Sequence, residues 1–158
     1  MNEPLFDVQM LTAPNAKAFG RMGEQIVFRA LERQGYQVIT AREREYRGDL
    51  VVIDPVTGQV TRIEVKTARP GAQGYQFCLE RHGRYAFTTL SHSDVLILMA
   101  ITRAGLPVPF VIPAQAYPRI KKLTIASEPT RYAGKYARFR QSLDCISLSK
   151  TEQAFDLT

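Results

Sequence analysis

The chain has 158 residues, 45% of them hydrophobic, which is enough for one domain with a buried core. No apolar run approaches the length needed to span a membrane, and no secretory signal opens the chain. The net charge is +6, with fifteen arginines against six lysines. Excess guanidinium suits bidentate phosphate contacts, although charge alone leaves a nucleic-acid partner and a merely basic surface equally open. Cys78 and Cys145 lie far apart without Cys-x-x-Cys spacing, which argues against a zinc site or disulfide scaffold and fits a reducing compartment.

Residues 1–14 carry Pro4, Pro14 and scattered apolar side chains and read as a loose arm. A helix is expected from Ala16 to Gln34, with Asn15 as N-cap and Gly35 as its stop. Phe19, Met22, Gly23, Ile26, Val27, Ala30 and Leu31 form its apolar stripe. Glu24 lies at the stripe's edge and taken alone reads as an ordinary surface acid. Tyr36–Thr40 reads as a first strand. The segment after it holds Arg42, Arg44 and Arg47, which suit equally a solvated connection and a loop that grips phosphate.

Gly48–Ile53 reads as a second apolar strand with an acid, Asp49, near its start. Asp54-Pro55-Val56-Thr57-Gly58-Gln59 is a run of turn residues. Arg62-Ile63-Glu64-Val65-Lys66-Thr67 is a third strand, so the two flank a predicted antiparallel hairpin. Strand alternation puts Glu64 and Lys66 on one face. Pairing Ile53 with Val60 carries Asp49 opposite Glu64. Two adjacent carboxylates repel unless a cation lies between them. An all-oxygen pair with spare coordination positions suits Mg²⁺ or Mn²⁺, which keep waters and bind substrate phosphates.

Residues 67–74 read as a mobile loop and Tyr75–Leu79 as a short strand. Residues 80–93 are polar and basic, with Arg81, His82 and Arg84. Asp94–Ile101 reads as a buried central strand. Val108–Ile112, flanked and interrupted by proline, reads as an edge strand. Pro113–Tyr117 suits one helical turn, and Leu123–Ala126 a last strand. Beyond it Arg131, Lys135 and Arg138 recur at helical spacing, with Tyr132, Tyr136, Phe139 and Leu143 one position on. That pattern predicts a short amphipathic helix with a basic and an aromatic face, weakened by Gly134.

The order of Gly20-Arg21-Met22-Gly23-Glu24, Gly48-Asp49 and Glu64-Val65-Lys66 resembles the PD-(D/E)xK nuclease superfamily. Gln34-Gly35-Tyr36-Gln37-Val38, Asp49-Leu50-Val51 and Ile63-Glu64-Val65-Lys66 are most like archaeal-type Holliday junction resolvases, including virus-borne versions. The stretch Val65–Pro113 also looks like the branch encoded in group I introns. The long helix that resolvases carry after the third strand has no counterpart here.

The resemblance, which runs from Gly20 to about Ile112, implies an α/β, restriction-endonuclease-like core with a mixed central sheet flanked by helices. It implies a single nuclease domain over 1–158, with a core at about 16–118 and a basic extension at 119–158. It casts Glu24, Asp49, Glu64 and Lys66 as catalytic. Asp49, Glu64, the Val65 carbonyl and Glu24 would bind Mg²⁺, which Mn²⁺ can replace. Arg42, Arg44, Arg47, Arg69, Arg81, Arg84, Arg131, Lys135 and Arg138 would contact DNA. The implied activity is resolution of four-way (Holliday) junctions by paired nicks from a homodimer in the cytoplasm, that of a host if the chain is viral. The alternative is a site-specific homing or restriction-type endonuclease on duplex DNA.

Overall fold

The structure, a computed structural model, describes residues 15–40, 49–79 and 93–148. Its first element is α1 (Ala16–Arg33). The Asn15 side chain caps it by accepting a hydrogen bond from the Ala18 N–H at 2.8 Å, which satisfies a donor that the helix cannot pair internally. Gly35 ends it with φ +95°, a backbone state open to glycine at little cost.

Five strands form the main sheet in the order β1 (Gln37–Thr40), β2 (Leu50–Ile53), β3 (Val60–Ala68), β6 (Val95–Ile101) and β7 (Pro107–Pro113). β2 and β3 are the expected hairpin, with Ile53 opposite Val60 and Leu50 opposite Ile63. The turn between them is tied by Asp54, whose carboxylate accepts from the N–H groups of Val56 and Thr57, and by Gly58 at φ +72°. β6 runs parallel to β3, and β7 antiparallel to β6. β6 is buried throughout, as its unbroken apolar run requires.

β7 closes one end of the sheet, where its prolines are tolerated. That edge is covered: the Gln141 N–H donates to the Pro109 carbonyl at 2.9 Å, and Arg140 bridges Phe110.

Alternation along the strands splits the core between the two faces of the sheet. Leu50, Val52, Ile63, Val65, Val95, Ile97 and Met99 pack with α1. Leu96, Leu98, Ala100, Val108, Phe110 and Ile112 pack on the other side. Among the described residues that face is covered by a small antiparallel sheet of β4 (Pro70–Gly71), β5 (Gly74–Cys78) and β8 (Lys122–Ile125). Residues 67–74 are therefore not a mobile loop. Pro70 pairs with Tyr75 and Gly71 with Gly74 in a tight hairpin, and Gly74 has φ +98°, which makes the reversal possible.

The amphipathic helix expected over 131–143 does not form. The segment is a series of turns with one 3₁₀ turn at Ala137–Phe139. The alternation behind that expectation is nevertheless realised: Tyr136, Phe139 and Leu143 are buried, while Arg131, Lys135 and Arg138 are exposed. Arg140 replaces the helical hydrogen bonds. One of its guanidinium nitrogens donates to the Pro129 and Tyr132 carbonyls at 2.9 and 2.7 Å, paying the polar groups that a turn leaves unpaired. Further on, the Gln34 side chain exchanges two bonds of 2.9 Å with the backbone of Ile146, tying this segment to the end of α1.

α1 lies close against β3 through Gly23, where a Cβ would overlap the Thr67 hydroxyl. Gly20 has open space around it. Gly23→Ala should therefore destabilise the fold by about 1–3 kcal/mol through overpacking, whereas Gly20→Ala should be neutral or stabilise by up to about 1 kcal/mol through helix propensity. Urea denaturation of the two variants checks this.

Candidate active site

The site is built at the start of β2 and along β3. The Asp49 N–H donates to the Ile63 carbonyl at 2.9 Å. The Asp49 carboxylate accepts from the Val65 N–H at 2.8 Å. Side chain and backbone of one residue thus grip two positions of β3. The regular β2–β3 ladder ends at Leu50–Ile63, and these two bonds hold Asp49 just beyond it, beside the Ile63–Val65 stretch of β3.

A second clamp positions β3 from its other side. Asp94 donates its N–H to the Arg62 carbonyl and accepts from the Arg62 N–H through its carboxylate, both at 2.9 Å. The Arg62 side chain adds an ion pair at 3.5 Å. This locks the parallel register that sets Glu64 beside Leu96 and Lys66 beside Leu98.

Glu64 is only 3% exposed. Its Oε1 lies 3.4 Å from the Lys66 ammonium, which compensates a charge that burial alone would penalise. Both residues project to the face that carries the small sheet, since Ile63 and Val65 between them pack toward α1. Tyr117, after the 3₁₀ turn at Ala114–Ala116, packs on that same face. Its hydroxyl is buried without a hydrogen-bond partner. Burial pushes the phenol well above its ordinary pKa, and the Glu64 charge adds to the shift.

Glu24 lies on the opposite layer, on α1. It shares a cavity of about 230 Å³ with Asp49, lined also by Arg21, Gln25, Phe28, Thr40 and Leu50. The structure thus joins Asp49 to Glu24 through this cavity, Asp49 to Val65 by a hydrogen bond, and Glu64 to Lys66 by an ion pair. Arg21 was not among the expected site residues. Its signal was its position three residues before Glu24, which puts both on one helical meridian.

Among the described residues, no group of three or more His, Cys, Asp or Glu side chains converges as a metal cluster. The carboxylates come in smaller sets of hard oxygen donors. Such a set does not suit a closed protein cage; it suits a hydrated Mg²⁺ that takes one or two carboxylates and completes its shell with water and phosphate oxygens.

Of the cations expected to meet DNA, Arg69 is exposed and stacks over Phe19, its guanidinium 5.2 Å from the ring centre. Lys135 and Arg138 lie over Tyr136 and Phe139 at 5.6 and 4.6 Å. These aromatic seats orient the cations without burying their charge. Arg42, Arg44, Arg47, Arg81 and Arg84 fall outside the described residues, as do His82 and His92. Cys78 and Cys145 are exposed and are not joined in a disulfide. Among the described residues no helix is long and apolar enough to cross a membrane.

The Glu64–Lys66 pair makes a stability prediction. Lys66→Ala leaves a buried carboxylate uncompensated and should cost about 2–3 kcal/mol, discounted for the partly exposed ammonium. Adding Glu64→Gln should recover most of that loss in a double-mutant cycle followed by urea denaturation.

No family profile and no curated protein sequence matches the chain. Four chains of solved structures do. One is a bacterial homing endonuclease, I-Ssp6803I, with a TM-score of 0.55 and 18% identity over 80% of this chain and 88% of that one. The mixed five-stranded sheet with α1 on one face is thus a fold shared with a homing endonuclease.

Proposed function

We propose that the chain is a metal-dependent endodeoxyribonuclease whose chemistry is carried by Asp49, Glu64 and Lys66, with Glu24 as an outer member of the site. The observation that carries this reading is the Asp49 carboxylate held on the Val65 N–H, on the strand that carries Glu64 and Lys66. Fold likeness to a homing endonuclease supports it, as do the net charge of +6 and the exposed cations at 69, 131, 135 and 138.

Asp49 and Glu64 would hold the ion, with the Val65 carbonyl as a further ligand and Glu24 reached directly or through water. Bound Mg²⁺ would supply a Lewis acid for the scissile phosphate and a water of lowered pKa. Mn²⁺ would substitute. Lys66 would donate to the attacking water or to a phosphate oxygen as charge develops there. Its resting place against Glu64 keeps that ammonium within the site before DNA arrives. Arg69, Arg131, Lys135 and Arg138 would bind the DNA backbone, joined by Arg42, Arg44, Arg47, Arg81 and Arg84. Cutting both strands requires two sites, and a homodimer supplies them. The unbridged cysteines fit work in a reducing cytoplasm.

Two substrates suit this chemistry. Site-specific cleavage of duplex DNA is favoured by the fold likeness, which extends over 88% of the homing endonuclease chain. Paired nicking of four-way junctions rests on the strand motifs of the sequence. A panel of synthetic substrates separates them. A resolvase cuts junctions with unrelated arm sequences, and a site-specific enzyme ignores these and cuts selected duplexes.

For either substrate, Asp49→Asn and Lys66→Ala should lower cleavage by on the order of 10²–10³-fold or more, while DNA binding in EDTA stays within a few-fold. Wild-type activity should vanish in EDTA and return with Mg²⁺ or Mn²⁺. Full cleavage by Asp49→Asn overturns the assignment.

A further inference from the structure

The small sheet has a second face, turned away from the core. Along β5 and β8 burial alternates: Tyr75, Phe77, Leu123 and Ile125 are buried, while Gln76, Cys78, Lys122 and Thr124 point outward and are half-buried or exposed. The outward residues form two cross-strand pairs, Gln76 with Thr124 and Cys78 with Lys122. β4, β5 and β8 contain no acidic residue. With Lys122 exposed and no carboxylate among its outward side chains, this face carries no charge that would repel a polyanion.

The side chains on this face are amide, hydroxyl and ammonium groups. Glutamine reads adenine through its amide, lysine donates to guanine O6 and N7, and the threonine methyl meets the methyl of thymine. All of these base edges lie in the major groove, which admits a two-stranded ribbon. With β4 only two residues long, β5 and β8 are such a ribbon. Their outward pairs are two residues apart, about 7 Å along the strand, which matches two base-pair steps of about 3.4 Å each. Gln76 is also oriented in advance: its Nε2 donates to the Gln73 Oε1 at 3.1 Å, across the tight hairpin turn.

We infer that the outer face of β5 and β8 reads base edges in the major groove of duplex DNA, with Gln76, Lys122 and Thr124 as specificity-determining residues. This rests on the nuclease reading and adds where the enzyme recognises its target. The β5–β8 ribbon packs on the face of the main sheet to which Glu64 and Lys66 project.

The test uses the full chain and a duplex library with a randomised centre. Binding is selected in EDTA, so cleavage plays no part. Wild type should enrich a preferred sequence. Dimethyl sulfate methylation of guanine N7 within it should block binding. Gln76→Ala/Thr124→Ala and Lys122→Ala should each lose that preference by roughly tenfold, while the thermal midpoint stays near wild type. Enrichment of the same sequence by both variants overturns the proposal, as does binding indifferent to N7 methylation. Wild-type cleavage without sequence preference overturns it while leaving the nuclease reading intact. A preference without cleavage does the reverse.

Discussion

The structure depends on one small contact. The Asp49 carboxylate accepts a hydrogen bond from the Val65 N–H while its own amide reaches the Ile63 carbonyl. A carboxylate takes the acceptor position on the strand edge that a neighbouring backbone would otherwise fill. The acid is thereby held rigidly, just beyond the end of the β2–β3 ladder and against the strand that carries Glu64. A site on paired strands is positioned more firmly than one on loops. Here the Asp94–Arg62 clamp on the other side of β3 removes the remaining freedom of register.

That constraint divides the work between the two faces of the main sheet. The face under α1 is apolar and close-packed, with Gly23 letting the helix approach Thr67. The other face carries Glu64 and Lys66 beneath a small sheet whose inner side is as apolar as the core. Burying an ion pair there contributes little net stability. Its retention makes sense if the buried carboxylate serves a purpose that a hydrophobic residue cannot.

Much of this was legible in the chain. Residues 50–68 form a hairpin because Asp54 and Gly58 dictate the turn and β-branched residues alternate on either side, and such local signals survive folding. β6 was readable from an apolar run too long for a half-exposed strand, and the end of α1 from Asn15 and Gly35. The tail misled because Tyr132, Tyr136 and Phe139 recur at helical spacing yet are packed against the core by turns. Arg140, which bonds to the carbonyls of Pro129 and Tyr132, makes non-helical backbone affordable there, and no local propensity encodes that. The hairpin at 70–78 was hidden by its glycines, which signal a loop until β8, more than forty residues later, supplies a partner. The nearness of Glu24 to Asp49 came from the glycine-rich motif, whereas the part of Tyr117 rests on tertiary packing that strand alternation does not describe.

The central claim is that the hairpin register holds a divalent ion between the acids of β2 and β3. Anomalous diffraction at the manganese edge, from crystals of the protein bound to duplex DNA with Mn²⁺, tests it most directly. The account predicts a peak at coordination distance from the Asp49 and Glu64 carboxylates and from one phosphate oxygen, absent in Asp49→Asn. A manganese peak on other residues, with the Glu64–Lys66 pair unbroken and no metal near Asp49, would contradict it.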